Sequence, residues 1–232
     1  MKLLALNVCR GGGSRVKALC QFLDQHNPDV IVLTEWRQGA AGQGFIAWME
    51  ARGFHHAARN DGATRNGTLI AARVPFDVES MTPLGSTAGV LMLARFQGWN
   101  LLASYFPQRS AKARFFATCK EVAACHARTP LVIVGDLNTG NQTTDSSAGG
   151  RFFCSADFDA LQSEAGLVDL WRRTNGPDAR EATWLSKKNG FRIDHAFANE
   201  PFITAAQPVC VYDHVPRESR ATDHSAIVVS AW

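Results

Sequence analysis

The chain has 232 residues, 46% of them hydrophobic, and a formal net charge of +3. That length suits one large α/β domain spanning residues 1–232, and that apolar content excludes a disordered chain. The charge is too small to demand a nucleic-acid partner and does not oppose one, because a local basic patch matters more than the total.

In chain order, residues 2–8 alternate as a short strand that runs into Gly11-Gly12-Gly13. These glycines precede a helix but lack the Lys-Ser/Thr of a Walker motif, so they read as a flexible connector. Ser14 is placed to cap that helix, which reaches His26 with Val16, Leu19, Cys20, Phe22 and Leu23 on one face. Residues 29–34 read as a buried strand bounded by Pro28, and residues 43–52 as a helix stopped by Gly53. Residues 68–73, 89–96 and 99–105 are strand candidates, the last two joined at Gly98 in a tight hairpin. Residues 110–128 predict an amphipathic helix with Phe115, Cys119, Val122 and Ala123 inward, and residues 131–134 another buried strand. A loop rich in Gly, Ser and Thr covers residues 139–150, followed by a helix over 157–165. Residues 193–197, 203–212 and 225–231 read as late strands. Strands and helices mix throughout, which predicts a four-layer α/β sandwich: two packed, mainly antiparallel sheets flanked by helices.

Cys9, Cys20, Cys119, Cys125, Cys154 and Cys210 form no CxxC pair and stand at no zinc-finger spacing from a histidine. They read as reduced thiols. Residues 1–8 lack a signal-peptide pattern, and the apolar runs are too short to span a bilayer. A cytoplasmic monomer without membrane contact is the expectation.

The polar residues that could do chemistry stand at strand ends. Asn7 closes the first strand, Glu35 follows residues 30–34, and Asp136 follows residues 131–135 with Asn138 two positions on. Asp194 opens the strand at 193–197, and Asp223 and His224 directly precede residues 225–229. One acid at a strand end is an ordinary turn residue. Five such endings on five core strands converge on one rim in a layered α/β fold, where clustered carboxylates repel unless a cation neutralises them. Oxygen donors without thiolates or several imidazoles favour Mg²⁺ or Mn²⁺ over Zn²⁺.

Six segments in order carry a resemblance. They are Leu6-Asn7-Val8, Asp29-Val30-Ile31-Val32-Leu33-Thr34-Glu35, Tyr105-Phe106-Pro107, Gly135-Asp136-Leu137-Asn138, Arg192-Ile193-Asp194-His195 and Thr222-Asp223-His224-Ser225. Together they resemble the endonuclease/exonuclease/phosphatase superfamily, which includes exonuclease III, abasic-site endonucleases and DNase I. The resemblance implies that Glu35 binds a metal with Asn7 beside it and Asp223 on the metal side. It implies that Asp136 orients or deprotonates the attacking water, and that Asn138 holds the scissile phosphate and fixes that carboxylate. His224 is then the phosphate contact, oriented by Asp194, and Tyr105 a further phosphate contact. The implied activity is metal-dependent phosphodiester hydrolysis, with a DNA strand the favoured substrate. A phosphoesterase for small molecules or lipids and a non-catalytic binding module are the alternatives. Cys9 stands where abasic endonucleases carry an aspartate, which puts a second metal-side carboxylate in doubt.

Several residues bear on substrate. Arg37, two residues after Glu35, resembles a DNase I arginine and reads either as a phosphate contact or as a solvated arginine. Phe191 and Trp184 either line an apolar pocket for a flipped abasic sugar, as in exonuclease III and its relatives, or are core aromatics. Arg109, Lys112, Arg114, Lys187, Lys188 and Arg192 fall in two loops expected on the rim, where they either position phosphates or are ordinary solvated charge. Residues 139–153 stand where abasic endonucleases carry a longer helical insert, which weakens strict abasic specificity. Asn141 and Asp145 have no assigned role there. His195 faces the opposite side of its strand from Asp194 and reads as structural, and His26, His55, His56, His126 and His214 have no evident carboxylate partner.

Overall fold

The computed structural model describes residues 1–60, 66–147 and 149–231. The first half comprises β1 (Lys2–Asn7), α1 (Val16–His26), β2 (Val30–Trp36), α2 (Ala40–Glu50), β3 (His55–Arg59), β4 (Gly67–Ala72), β5 (Asp77–Ser80), β6 (Val90–Phe96), β7 (Trp99–Tyr105) and α3 (Ala113–Cys125). The second comprises β8 (Leu131–Asp136), α4 (Ser155–Ser163), β9 (Val168–Asp169), α5 (Leu170–Asn175), β10 (Trp184–Leu185), β11 (Gly190–Phe191) and β12 (Asp194–Ala198), then α6 (Glu200–Ala206), β13 (Val209–Asp213), α7 (Val215–Glu218) and β14 (Ala226–Ser230).

Central strands buried on both faces, with more exposed strands at the edges, make two six-stranded sheets, ordered β13-β14-β1-β2-β4-β3 and β5-β6-β7-β8-β12-β9. Pairing is antiparallel except for β1 with β2 and β7 with β8. Leu3, Ala5, Val32, Ile70, Met92, Val134, Ala196 and Ile227 belong to one core between the sheets. On the outer face of the first sheet, Leu4, Leu6, Ile31 and Leu33 pack on Leu19 and Leu23 of α1 and Phe45 and Met49 of α2. On the outer face of the second, Leu102, Ile133 and Phe197 pack on Phe115 and Phe116 of α3 and Phe158 of α4. The result is the expected four-layer sandwich, with period-2 alternation sorting each strand between an inner and an outer core. All six cysteines are unpaired. Among the described residues, no helix is long and apolar enough to cross a membrane.

Some elements differ from expectation. Residues 203–212 are not one strand: Asn199 caps α6, its side chain accepting from the Phe202 N–H, with Pro201 in the first turn. The left-handed Gln207 then ends that helix before β13 begins. Asn-Glu-Pro is a helix start, and the β-branched Ile203 hid it. Ser14 does not cap α1; it lies inside a short 3₁₀ turn over Gly13–Arg15. The edge strands β3 and β5 escaped prediction because charged and histidine residues fill them, as suits strands that must not pair further. His26 and His214 do have carboxylate partners, Asp213 at 2.9 Å and Glu181 at 3.5 Å.

The main correction concerns Arg192. It is no rim cation: its side chain has no exposure, and it donates to Asp145 Oδ1 (2.6 Å) and Asp169 Oδ2 (2.5 Å). Arg172 is a second donor to Asp145. Burial opposes the charge on Asp145, but Arg192 and its neighbours hold that carboxyl below its ordinary value. This network ties the 139–150 loop to the start of β12 from behind. Residue 148 of that loop lies outside the described residues.

Removing one partner from such a network strands a buried charge, at a cost of about 3–5 kcal/mol. Arg192→Met should lower the unfolding free energy by roughly that amount in urea titration. The Asp145 contribution is present above its unfolded value of about 3.9 and is lost as pH falls through the lower folded one. Asp145→Asn should therefore flatten the acid side of the stability–pH curve.

Candidate active site

Register brings the strand ends together. Parallel β1 and β2 end side by side, as do β7 and β8. Antiparallel pairing sets Asp194, at the start of β12, directly opposite Asp136, at the end of β8. β14 runs antiparallel to β1, so Thr222, Asp223 and His224 arrive beside Asn7, and the Thr222 hydroxyl donates to the Asn7 carbonyl at 2.6 Å.

Asp136 is the buried centre. It accepts from Asn7 Nδ2 at 2.9 Å, across the gap between the sheets, and from the Asn138 backbone N–H at 2.8 Å. The strand can place it there because residue 135 is glycine: a Cβ would lie 2.0 Å from the Ser104 carbonyl oxygen. Burial, with Asp194 nearby, pushes the Asp136 carboxyl up to about 7. His224 Nδ1 bonds Asp194 Oδ2 at 2.8 Å, and both side chains are buried. Burial works against a charged imidazole, yet Asp194 and Asp136 outweigh it and raise His224 to about 10. Ligand atoms of Asp136, Asp194 and His224 lie within 4.8 Å of one another.

Glu35 enters from the other sheet. It sits at a bulge in β2, where the register shifts between Thr34 and Trp36, and its φ is +56°. Such backbone strain in a non-glycine residue persists only where surrounding contacts enforce it. Glu35 Oε2 accepts from the Arg10 N–H at 2.7 Å, and Tyr105 OH lies 3.4 Å from Oε1. The bulge breaks strand alternation, so Arg37 does not follow Glu35 into the cleft. Its Nε donates to Asn66 at 2.6 Å, and Asn66 donates to Tyr105 OH at 3.1 Å.

One cavity of about 430 Å³ gathers Glu35, Arg109, Lys112, Asp136, Asn138, Trp184, Phe191, Asp223 and His224. Asn7 and Asp194 support it from beneath, while Arg37 and Arg192 are not among its lining. Lys112 is buried, bonds the Asn138 carbonyl, and is lowered by burial to about 8. Asp223 accepts from Trp184 Nε1 at 3.1 Å; burial opposes its charge, but His224 and that N–H keep its carboxyl low. Arg114 reaches the Leu84 carbonyl, and Lys187 and Lys188 lie in the turn between β10 and β11. Gln108, Arg151, Phe152 and Phe153 also line the cavity, and sequence reasoning missed them. The aromatic pair inside a polar loop was the available signal. Asn66 gave none, since its partner is 39 positions away.

The donor set fits a hard divalent cation. Glu35 and Asp223 offer carboxylate oxygens to one cleft. The single thiol there, Cys9, is raised by burial and by Asp223, which disfavours a thiolate in the metal-free cleft. In the tight Asp136–Asp194–His224 group the imidazolium supplies a counter-charge to its carboxylate neighbours.

The family that the chain matches is one of phosphoester-hydrolysing enzymes. The chain belongs to the Endonuclease/Exonuclease/phosphatase family, which it matches over residues 4–224. No curated protein matches it in sequence. Solved structures share the sandwich. A 3′-5′ exonuclease (NExo) from Neisseria meningitidis is 23% identical at TM-score 0.84, over 100% of both chains. An AP endonuclease from Archaeoglobus fulgidus is 20% identical at TM-score 0.80, over 100% of this chain and 99% of that one. The 3′ phosphatase NExo from Neisseria, bound to product DNA hairpin, is 21% identical at TM-score 0.79, with the same coverage. At these identities the likeness establishes the common fold.

The dyad has a direct readout. Asp194→Asn removes the carboxylate that most favours the imidazolium, so the His224 titration should move to lower pH. Proton NMR of the histidine ring in metal-free protein will show it; an unmoved titration would mean that Asp194 does not hold the charge.

Proposed function

We propose that this protein is a Mg²⁺- or Mn²⁺-dependent phosphodiesterase that acts on DNA strands. The observation that carries this reading is the juxtaposition, in one cleft, of the buried Asp136 carboxylate clamped by Asn7 and Asn138 with the Asp194–His224 pair. Glu35 and Asp223, with Asn7 beside them, would hold the cation, which when bound polarises a phosphoryl oxygen and stabilises the leaving alkoxide.

The chain's own residues do the rest. Asp136, raised toward neutrality, orients the attacking water and takes its proton. Asn7 fixes one carboxylate oxygen and the Asn138 backbone the other, so the acceptor is aimed before substrate arrives. His224 spends Nδ1 on Asp194 and leaves Nε2 to donate to a phosphate oxygen as charge develops. Asn138 acts by holding Asp136, because its amide is engaged with the Phe106 carbonyl at 2.8 Å. Tyr105 braces Glu35, and Arg37 acts on Tyr105 through Asn66. Arg109 and Arg151 are the cations on the cleft wall best placed for flanking phosphates.

The test is hydrolysis of labelled DNA, intact, with one abasic site, or ending in a 3′-phosphate, in Mg²⁺, Mn²⁺ or EDTA. Metal-dependent cleavage that EDTA abolishes is expected. His224→Ala should lose about 10²–10³ in rate, and Asp136→Asn at least as much, with melting temperatures above or near that of the parent. Hydrolysis of bis-p-nitrophenyl phosphate without DNA cleavage would overturn the DNA reading, and EDTA-resistant cleavage the metal reading.

A further inference from the structure

Beside His224 stands a row of aromatic rings that the hydrolytic chemistry does not use. Backbone pairing explains the row. His224 bridges Trp184, Trp184 pairs with Phe191, and Phe191 bridges Ser146 of the polar loop. Neighbouring strands lie about 4.8 Å apart, so Trp184 is one strand from His224 and Phe191 two. The ring centroids of Trp184 and Phe191 are 6.0 Å apart at 37°, and Phe152 meets Phe191 edge-on at 5.4 Å. Phe153 lines the same cavity and is 56% exposed, an unusual cost for a phenylalanine at a cleft mouth.

The loop that carries Phe152 and Phe153 is braced in place. Gln142 accepts from the Phe152 N–H at 2.9 Å and donates to the Gly150 carbonyl at 2.8 Å, and Thr139 donates to the Phe153 carbonyl at 2.8 Å. Gly150 lies flat against Phe191, where a Cβ would come within 2.7 Å of the ring. The rings are therefore presented, not collapsed. The loop also packs on Phe191 from the side, so Phe152 and Phe153 extend the aromatic lining that Trp184 and Phe191 begin. Arg109 and Arg151 line the same cleft. Cations that track a backbone, beside aromatic faces that accept any base, are how single-stranded nucleic acid is held.

We propose that Phe152 and Phe153, with Phe191 and Trp184, form a stacking wall for an unpaired nucleobase next to the scissile phosphate. This inference rests on the DNA reading above and narrows it: the preferred substrate is an unpaired strand end that bears its base, not a base-free sugar. An unpaired base pays least to leave its stack, and every base has a flat face for the rings.

The experiment uses oligonucleotides with an unpaired 3′ end, whose terminal nucleotide carries 2-aminopurine or is a base-free tetrahydrofuran. Binding is read in EDTA by fluorescence and hydrolysis in Mg²⁺. Stacking should quench 2-aminopurine, and the base-bearing end should bind more tightly than the base-free one. Phe152→Ala with Phe153→Ala should weaken binding of the base-bearing end by roughly ten- to a hundredfold and leave the base-free end unchanged. Phe152→Tyr with Phe153→Tyr should restore it, separating ring loss from misfolding. Equal affinity for both ends, or an equal loss on both, would overturn the wall. Quenching and base preference without hydrolysis of any DNA would sustain the wall while the hydrolytic reading fails.

Discussion

The hydrogen bond from Asn7 to Asp136 is the contact on which the site depends. It joins residues 129 positions apart, one on each sheet, at the end of the inter-sheet core. A carboxylate buried there without donors would be expelled or neutralised. With Asn7 on one oxygen and the Asn138 backbone on the other, it is kept buried and aimed. The sheets must then meet in one register, because a one-residue slip would turn either side chain to the opposite face.

Two buried charge groups lie at this end of the sandwich and serve opposite ends. Arg192, Asp145, Asp169 and Arg172 pair almost completely, so Asp145 resists protonation and the network holds the loop and the start of β12. Two residues along the chain, Asp194 lies beneath the cleft beside Asp136 and His224, where one imidazolium serves two carboxylates. The inert network fixes the backbone from which the reactive group projects. An Arg-Ile-Asp sequence thus supplies anchor, cleft-lining residue and site residue in consecutive positions of one strand entry.

The fold was legible in the sequence because both faces of most strands are apolar and the strand-end polar residues stand out against them. Asn7, Asp136, Asn138, Asp194 and His224 were readable as one group for that reason. What was not legible depends on geometry that a periodic pattern hides. The bulge at Glu35 reverses the side on which Arg37 falls, and nothing in Thr-Glu-Trp-Arg announces it. Arg192 looks like its neighbours Lys187 and Lys188 until Asp145 and Asp169 are folded against it. The α6 helix was hidden by β-branched residues, and the edge strands by their charge.

The polar loop shows the same limit most clearly. By composition it is a loop rich in Gly, Ser and Thr, but hydrogen bonds from Gln142, Thr139 and Asn141 hold its described residues in shape. Asn141, for which the sequence offered no role, accepts from the Thr143 and Thr144 N–H groups and donates to Asp159, closing a turn. A loop so braced costs little entropy to present its side chains. Here the loop carries aromatic rings to the edge of the cleft. In the proposed reading the strand ends cut the phosphoester, and the loop geometry selects what lies beside it.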